Sequence, residues 1–146
     1  MSVTVDANVL VYASNSADPN HRSSRELLER LAAGPELVYL FWPTTMAYLR
    51  IVTHPGILPR PLTPTTAIAN IDGLLDRAHV RAPGETEGFW GVFGSAADEQ
   101  VRGNLVPDAH LVALMRQHGV RVIYTRDRDF RRFDFIESRE PASAGP

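Results

Sequence analysis

Short apolar runs rich in Val and Ile alternate with helical segments along this chain, and aspartates stand where three of these elements begin or end. Asp6 follows the run SVTV, Asp108 opens a helical segment, and Asp127 with Asp129 follows the run VRVIY. Strands that alternate with helices indicate a parallel sheet covered by helices. In such a sheet the carboxyl ends of the strands meet at one edge. The pattern therefore predicts a fold that gathers distant acids in one crevice.

We predict one α/β domain over residues 1–137, with a central parallel sheet of four to five short strands and helices on both faces. A loose tail, rich in Pro, Ala, Ser and Gly, is predicted over residues 138–146. Apolar runs predict strands at 2–5, 37–41, 80 and 120–124. Helical spacing and end signals predict helices at 9–14, 21–33, 44–52, 64–78, 85–102 and 107–117.

Composition narrows the class of protein. A chain of 146 residues that is 44% hydrophobic fits one domain with a real core. The absence of cysteine excludes disulfides and thiolate metal sites, so a metal would bind oxygen or histidine. No apolar run reaches the length of a membrane span, and we expect a cytoplasmic protein, with secretion after synthesis left open. The net charge of −2 gives no global attraction for nucleic acid, which would need a local basic patch.

The acids would repel one another if they met. Two unit charges about 5 Å apart repel by roughly 3 kcal/mol at an effective dielectric near 20. Taken singly, each of the four could be a turn, cap or first-turn residue. Together at one edge they require compensation by protonation, by basic neighbours or by a divalent cation.

Four motifs in order resemble the PIN-domain ribonucleases, and among them the VapC-type toxins of toxin–antitoxin pairs. The resemblance runs from Val3 to about Phe135 and rests on VDANVLVYA, YLRIVTHPGILPRPLT, RGNLVPDAHLVALMRQHGV and YTRDRDFRRF. It implies a metal-dependent endoribonuclease whose acidic residues bind Mg²⁺ or Mn²⁺ and act in catalysis. By motif the metal ligands are Asp6, Asp108 and Asp127, with Asp129 as a further catalytic acid, while Thr125 matches a hydroxyl position that lines such sites.

One position departs from the family pattern, which often has a glutamate where this chain has Ala47. Two-metal clamps need enough carboxylates to hold ions about 3.5–4 Å apart. We therefore expect one firmly held ion, with a second recruited by substrate phosphate. The departure also keeps open a non-catalytic PIN-like module that binds RNA or protein.

Basic residues near the last acids are candidate contacts to RNA phosphates. Alternatively, they form a solvated loop of mixed charge, and Arg50 could instead pair with a structural carboxylate. The basic candidates are Arg50, Arg126, Arg128, Arg131 and Arg132, and Thr125 is a further candidate for RNA binding.

A haloacid-dehalogenase-like phosphatase also places an aspartate after its first strand. That chemistry usually uses a second aspartate two residues later, where this chain has Asn8.

The resemblance to VapC-type toxins further implies a VapB-type antitoxin, a homodimer formed through the early helices, and an RNA substrate, whose sequence the chain does not specify.

Overall fold

The computed structural model describes residues 1–144. Five strands alternate with six α-helices in this part of the chain, and two short 3₁₀ segments cover Arg128–Arg132 and Pro141–Ala144. In chain order the elements are β1 (Ser2–Val5), α1 (Ala7–Ala13), α2 (His21–Ala33), β2 (Leu37–Tyr39), α3 (Trp42–Val52), α4 (Pro64–Leu75), β3 (Val80–Arg81), α5 (Phe89–Ala96), α6 (Leu105–Gln117), β4 (Val122–Tyr124) and β5 (Glu137–Arg139).

The five strands form one parallel sheet in the order β3-β2-β1-β4-β5. Val3 at the centre of the sheet pairs with Val38 on one side and with Val122 on the other. Because β1 is the middle strand, Asp6 lies at the middle of the carboxyl edge. This confirms the predicted α/β class and parallel sheet.

Side chains that alternate along the strands build a core on each side of the sheet. Val3 and Val5 belong to a cluster that also includes buried residues of α1, α2, α3 and α4. Ile123 belongs to a second cluster, which is dominated by α6. Thr4, between the two valines, is fully buried and donates a hydrogen bond to the Tyr39 carbonyl across the sheet. Helices therefore cover both faces, as predicted.

Two segments differ from the sequence prediction by more than a shift of a few residues at an end. The helix expected over 85–102 is reduced to α5, because Gly88 adopts a left-handed conformation at its start (φ 84°) and Gly91 and Gly94 weaken the rest. The tail expected to be loose from residue 138 is also wrong at its start. Ser138 and Arg139 belong to β5, which pairs with β4. The last two residues of the predicted tail, 145 and 146, lie outside the described part of the chain.

Within residues 1–144, none of the helices is both long and apolar enough to cross a membrane.

Candidate metal centre

Four aspartates lie at the carboxyl edge of the sheet. Asp6 follows β1 and occupies the N-cap position of α1, so the strand and helix together fix its backbone. Its N–H donates to the carbonyl of Tyr124, the last residue of β4, over 3.0 Å. Asp127 and Asp129 follow β4 within a few residues, and Asp108 lies in the first turn of α6. The helix predicted over 9–14 begins two residues earlier, at Ala7, so Asp6 rather than Asn8 lies at its N-cap position.

Thr125 joins these acids through a continuous chain of hydrogen bonds. Its hydroxyl donates to Asp6 Oδ2 over 2.9 Å and accepts from the N–H of Asp127 over 2.9 Å. The N–H of Asp129 in turn donates to Asp127 Oδ1 over 2.9 Å. Thr125 is only 3% exposed, so water cannot easily replace it in this role. The loop after β4 is thus held to the end of β1.

Carboxylate oxygens of Asp108, Asp127 and Asp129 lie within 4.8 Å of one another. Asp108 and Asp127 are half-buried, whereas Asp129 is exposed. Asp6 is not one of these three, but it is half-buried and bound to the same loop through Thr125. The structure therefore brings the four predicted acids to one edge, with three of them in a tight group.

Burial and mutual repulsion disturb the ionisation of two of these acids. Burial raises the pKa of Asp108 to about 7, and the negative charges of Asp127, Asp6 and Asp129 add to the shift. Burial also raises the pKa of Asp6, although the hydrogen bond from Thr125 opposes the shift. A bound cation would favour the ionised form of these acids, because it would offset the repulsion among their carboxylates.

The donor atoms of this group suit a hard divalent cation. They are carboxylate oxygens, which Mg²⁺ and Mn²⁺ prefer, and no cysteine is present in the chain. Asp108, Asp127 and Asp129 are close enough to share one ion. The carboxylate of Asp6 is outside this group of three, but its charge raises the pKa of Asp108 and Thr125 joins it to Asp127. The residues present therefore fit the group that the sequence analysis implied.

The arginines expected to bind RNA divide into three locations. The positive charge of Arg132 is close enough to the acids to lower the pKa of Asp108. Arg126, Arg128 and Arg131 line a shallow pocket beside Thr125 and Asp127. Arg50 instead lines a groove with residues of α3 and α4, and none of the four acids lines that groove.

Two further residues lie near the acids and were not predicted as site residues from the sequence. Tyr12 lies on α1, and its pKa is raised by burial, by Asp18 and by Asp6. Arg139 of β5 lines the pocket that includes Asp127. No sequence signal marked Tyr12, and Arg139 could have been found only if a fifth strand had been predicted there.

Thr125→Val is expected to lower cleavage or metal affinity by about 10–100-fold, the usual effect of losing a residue that orients a ligand. It should also cost about 1–2 kcal/mol of stability, because a buried hydrogen bond is lost. Thr4→Val is the matched control, since Thr4 is also buried and its hydroxyl donates one hydrogen bond, as that of Thr125 does, but to a backbone carbonyl away from the acids. Metal titration and thermal unfolding of both variants separate the two effects. An equal loss of metal affinity in both would contradict the role given to Thr125.

Comparison with known proteins adds the family context. The PIN domain family model matches residues 3–136. Ribonuclease VapC48 of Mycobacterium tuberculosis strain H37Rv is 54% identical over 144 residues, which cover 98% of this chain and 99% of that protein.

Solved structures of low sequence identity share the fold. Mycobacterium tuberculosis VapC20, a Sarcin-Ricin loop cleaving toxin, superposes with a TM-score of 0.69 at 21% identity, covering 94% of this chain and 98% of that one. VapBC2 from Rickettsia felis, bound to a DNA fragment from its promoter, has a TM-score of 0.64 at 17% identity, with 96% and 98% coverage. At these identities the likeness concerns the fold alone.

Proposed function

Since this chain belongs to the PIN-domain family, we propose that it is a metal-dependent endoribonuclease and the toxin of a VapBC-type toxin–antitoxin pair. The observation that carries this proposal is the group of acids at the carboxyl edge, three of whose carboxylates lie within 4.8 Å. The family match gives no support to the haloacid-dehalogenase-like alternative. The non-catalytic alternative predicts RNA or protein binding without cleavage.

Mg²⁺ or Mn²⁺ is the proposed cofactor, held by Asp6, Asp108 and Asp127 with Asp129 as a further contributor. When bound, such an ion offsets negative charge on phosphodiester oxygens and favours hydroxide formation from water. Asp108, with a pKa of about 7 in the metal-free protein, must give up its proton before it can act as a ligand.

The protein's own groups would position the reactants. Asp127 or Asp129 would orient the attacking water and accept its proton, since Asp129 is the exposed member of the group. Arginine guanidiniums would hold the phosphates that the acids alone repel. The arginines that we assign to this role are Arg126, Arg128, Arg131 and Arg132, with Arg50 as a more distant contact. Thr125 fixes the position of the Asp6 side chain relative to the backbone of Asp127 through its two hydrogen bonds.

Ala47→Glu tests whether the centre is limited by the glutamate that the family often carries. Ala47 lies on α3, which begins just after β2 at the same edge as Asp6. If a fourth carboxylate strengthens the site, the Mg²⁺ concentration needed for half-maximal cleavage should fall about tenfold. Ala78→Glu is the matched control, because it makes the same substitution at an exposed alanine just before β3, at the opposite edge of the sheet. An unchanged requirement in Ala47→Glu would mean that the site is complete without it.

RNA with unpaired bases is the proposed substrate, because sequence-specific recognition of RNA targets loops and single strands rather than duplexes. The proposed location is the cytoplasm, where such RNA is made.

A VapB-type antitoxin is the proposed partner, and the VapBC assembly of the Rickettsia structure supports this at the level of the fold. A basic side chain from the antitoxin could occupy the acidic group in place of a metal. We also propose a two-fold homodimer through the early helices, where Met46 of α3 and Ile68 of α4 are half exposed. Co-expression with the adjacent gene, followed by light scattering, tests both assemblies.

Cleavage of RNA by the purified protein, with and without a chelator, tests the function itself. Cleavage that requires the metal supports the enzyme, whereas RNA binding without cleavage at any metal concentration supports the non-catalytic module.

A further inference from the structure

A shallow pocket lies between the loop after β4 and the end of β5, directly beside the acidic group. Four arginines line it, Arg126, Arg128, Arg131 and Arg139, together with Ser138 and Glu140. It also shares Thr125 and Asp127 with the metal centre. The pocket is therefore an extension of that centre on the β5 side.

Charge in this pocket is opposite to that of the whole protein. Four arginines and two acidic residues, Asp127 and Glu140, line it, whereas the whole chain carries a net charge of −2. Ser138 adds a hydroxyl that can donate a hydrogen bond. A group of planar guanidiniums with a hydroxyl is a typical set of donors for phosphate oxygens.

Acidic side chains already lie against two of these arginines. Arg126 Nη1 lies 3.9 Å from Glu140 Oε2, and both side chains are about half exposed. Arg139 pairs with Glu137, its neighbour on β5. Exposed pairs of this kind are weak, so a phosphate with more charge and more oxygens can displace a carboxylate from them.

The backbone holds the pocket at a fixed position relative to the acids. The N–H of Thr125 donates to the carbonyl of Arg139 over 2.9 Å, while the Thr125 hydroxyl donates to Asp6. β5 therefore cannot shift without disturbing the residue that connects Asp6 to Asp127. A phosphate bound in the pocket would keep a constant spacing from the metal centre.

We infer that this pocket binds a backbone phosphate of the RNA, next to the phosphate at which the RNA is cleaved. In the free protein the Glu140 carboxylate occupies the position of that bound phosphate. The inference deepens the proposed function, because it depends on an RNA substrate that crosses the acidic group. It adds Ser138 and Arg139 of β5 to the binding surface and gives Glu140 the role of a competing anion.

Titration of ¹⁵N-labelled protein with inorganic phosphate, without metal, tests the pocket directly. We expect saturable shifts at the Arg126 and Arg139 Nε–H signals and at the Ser138 amide. Arg22 and Arg25 are internal controls, because they are exposed on α2 and paired with glutamates as well. Non-saturable shifts of equal size in both sets would overturn the inference.

Glu140→Gln should tighten phosphate binding about two- to fivefold, which corresponds to the loss of one exposed ion pair. Glu29→Gln is the matched control, since it removes a glutamate that pairs with Arg25 over 3.0 Å on α2. Arg139→Gln should weaken phosphate binding and raise the KM for RNA. Thermal unfolding of Arg139→Gln checks that β5 stays folded.

These experiments test the nuclease function and the phosphate pocket separately. If the protein binds phosphate as expected but cleaves no RNA, the proposed nuclease function is wrong and the anion pocket is supported. Normal RNA cleavage, with phosphate binding and KM unchanged in both Glu140→Gln and Arg139→Gln, would sink the pocket alone.

Discussion

Asp108→Asn is expected to lower RNA cleavage by more than about 100-fold, because loss of a ligand should exceed the 10–100-fold effect of losing a residue that orients one. The amide has nearly the same shape as the carboxyl group, so the fold should persist. Asp72→Asn on the exposed surface of α4 is the matched control and should cleave normally. Cleavage that stays within a few-fold of the wild type would remove Asp108 from the metal centre.

The same variant is expected to be more stable than the wild type at pH 8 in the absence of metal. In the native wild type the Asp108 carboxyl has a pKa of about 7, above the ordinary value near 4, so the native state binds the proton more tightly than the unfolded state does. Wild-type stability contributed by this group is therefore present below about pH 4 and falls as the pH rises toward 7.

The asparagine variant escapes this loss. After a discount for partial exposure, we expect a gain of about 1–2 kcal/mol at pH 8 and little at pH 4, seen as a rise in Tm of a few degrees. A large loss of stability at both pH values would instead mark Asp108 as a structural residue.

Metal affinity is expected to rise about tenfold from pH 6 to pH 8, about fivefold of it by pH 7, and then to level off, because one proton must leave Asp108 before it can bind the ion. Calorimetric titration with Mn²⁺ in buffers of different ionisation enthalpy measures both the affinity and the number of protons released. Release should approach one proton per ion at pH 6. In Asp108→Asn the remaining affinity should depend less on pH, and an equally steep dependence there would contradict this assignment.

Much of this centre follows from where the acids stand in the sequence. Asp6 and Asp127 were predictable because each follows an apolar run, and parallel strands bring their carboxyl ends to one edge. Asp108 was predictable because a proline and a regular apolar pattern mark the first turn of its helix. The assignment of these acids as metal ligands is a proposal that came from the family resemblance, since spacing alone does not distinguish a ligand from a cap.

The parts that were missed depend on contacts rather than on local pattern. β5 consists of Glu137, Ser138 and Arg139, which carry no apolar alternation, and it forms a strand only because β4 offers a free edge. Tyr12 approaches the acids because α1 begins directly after Asp6. No residue pattern in the sequence distinguishes Tyr12 from the other residues of this helix. The pKa of Asp108 depends on burial and on three distant charges, which only the assembled fold sets.

Cleavage of bacterial RNA by the purified protein, first in excess chelator and then after Mg²⁺ or Mn²⁺ is restored, tests whether these aspartates form a metal-dependent nuclease centre. The wild type should be inactive in chelator and should produce discrete fragments when the metal returns, while Asp108→Asn prepared in parallel should stay inactive in both conditions. Cleavage by the wild type that persists in excess chelator, or equal cleavage by the variant, would contradict a metal-dependent centre built on these aspartates.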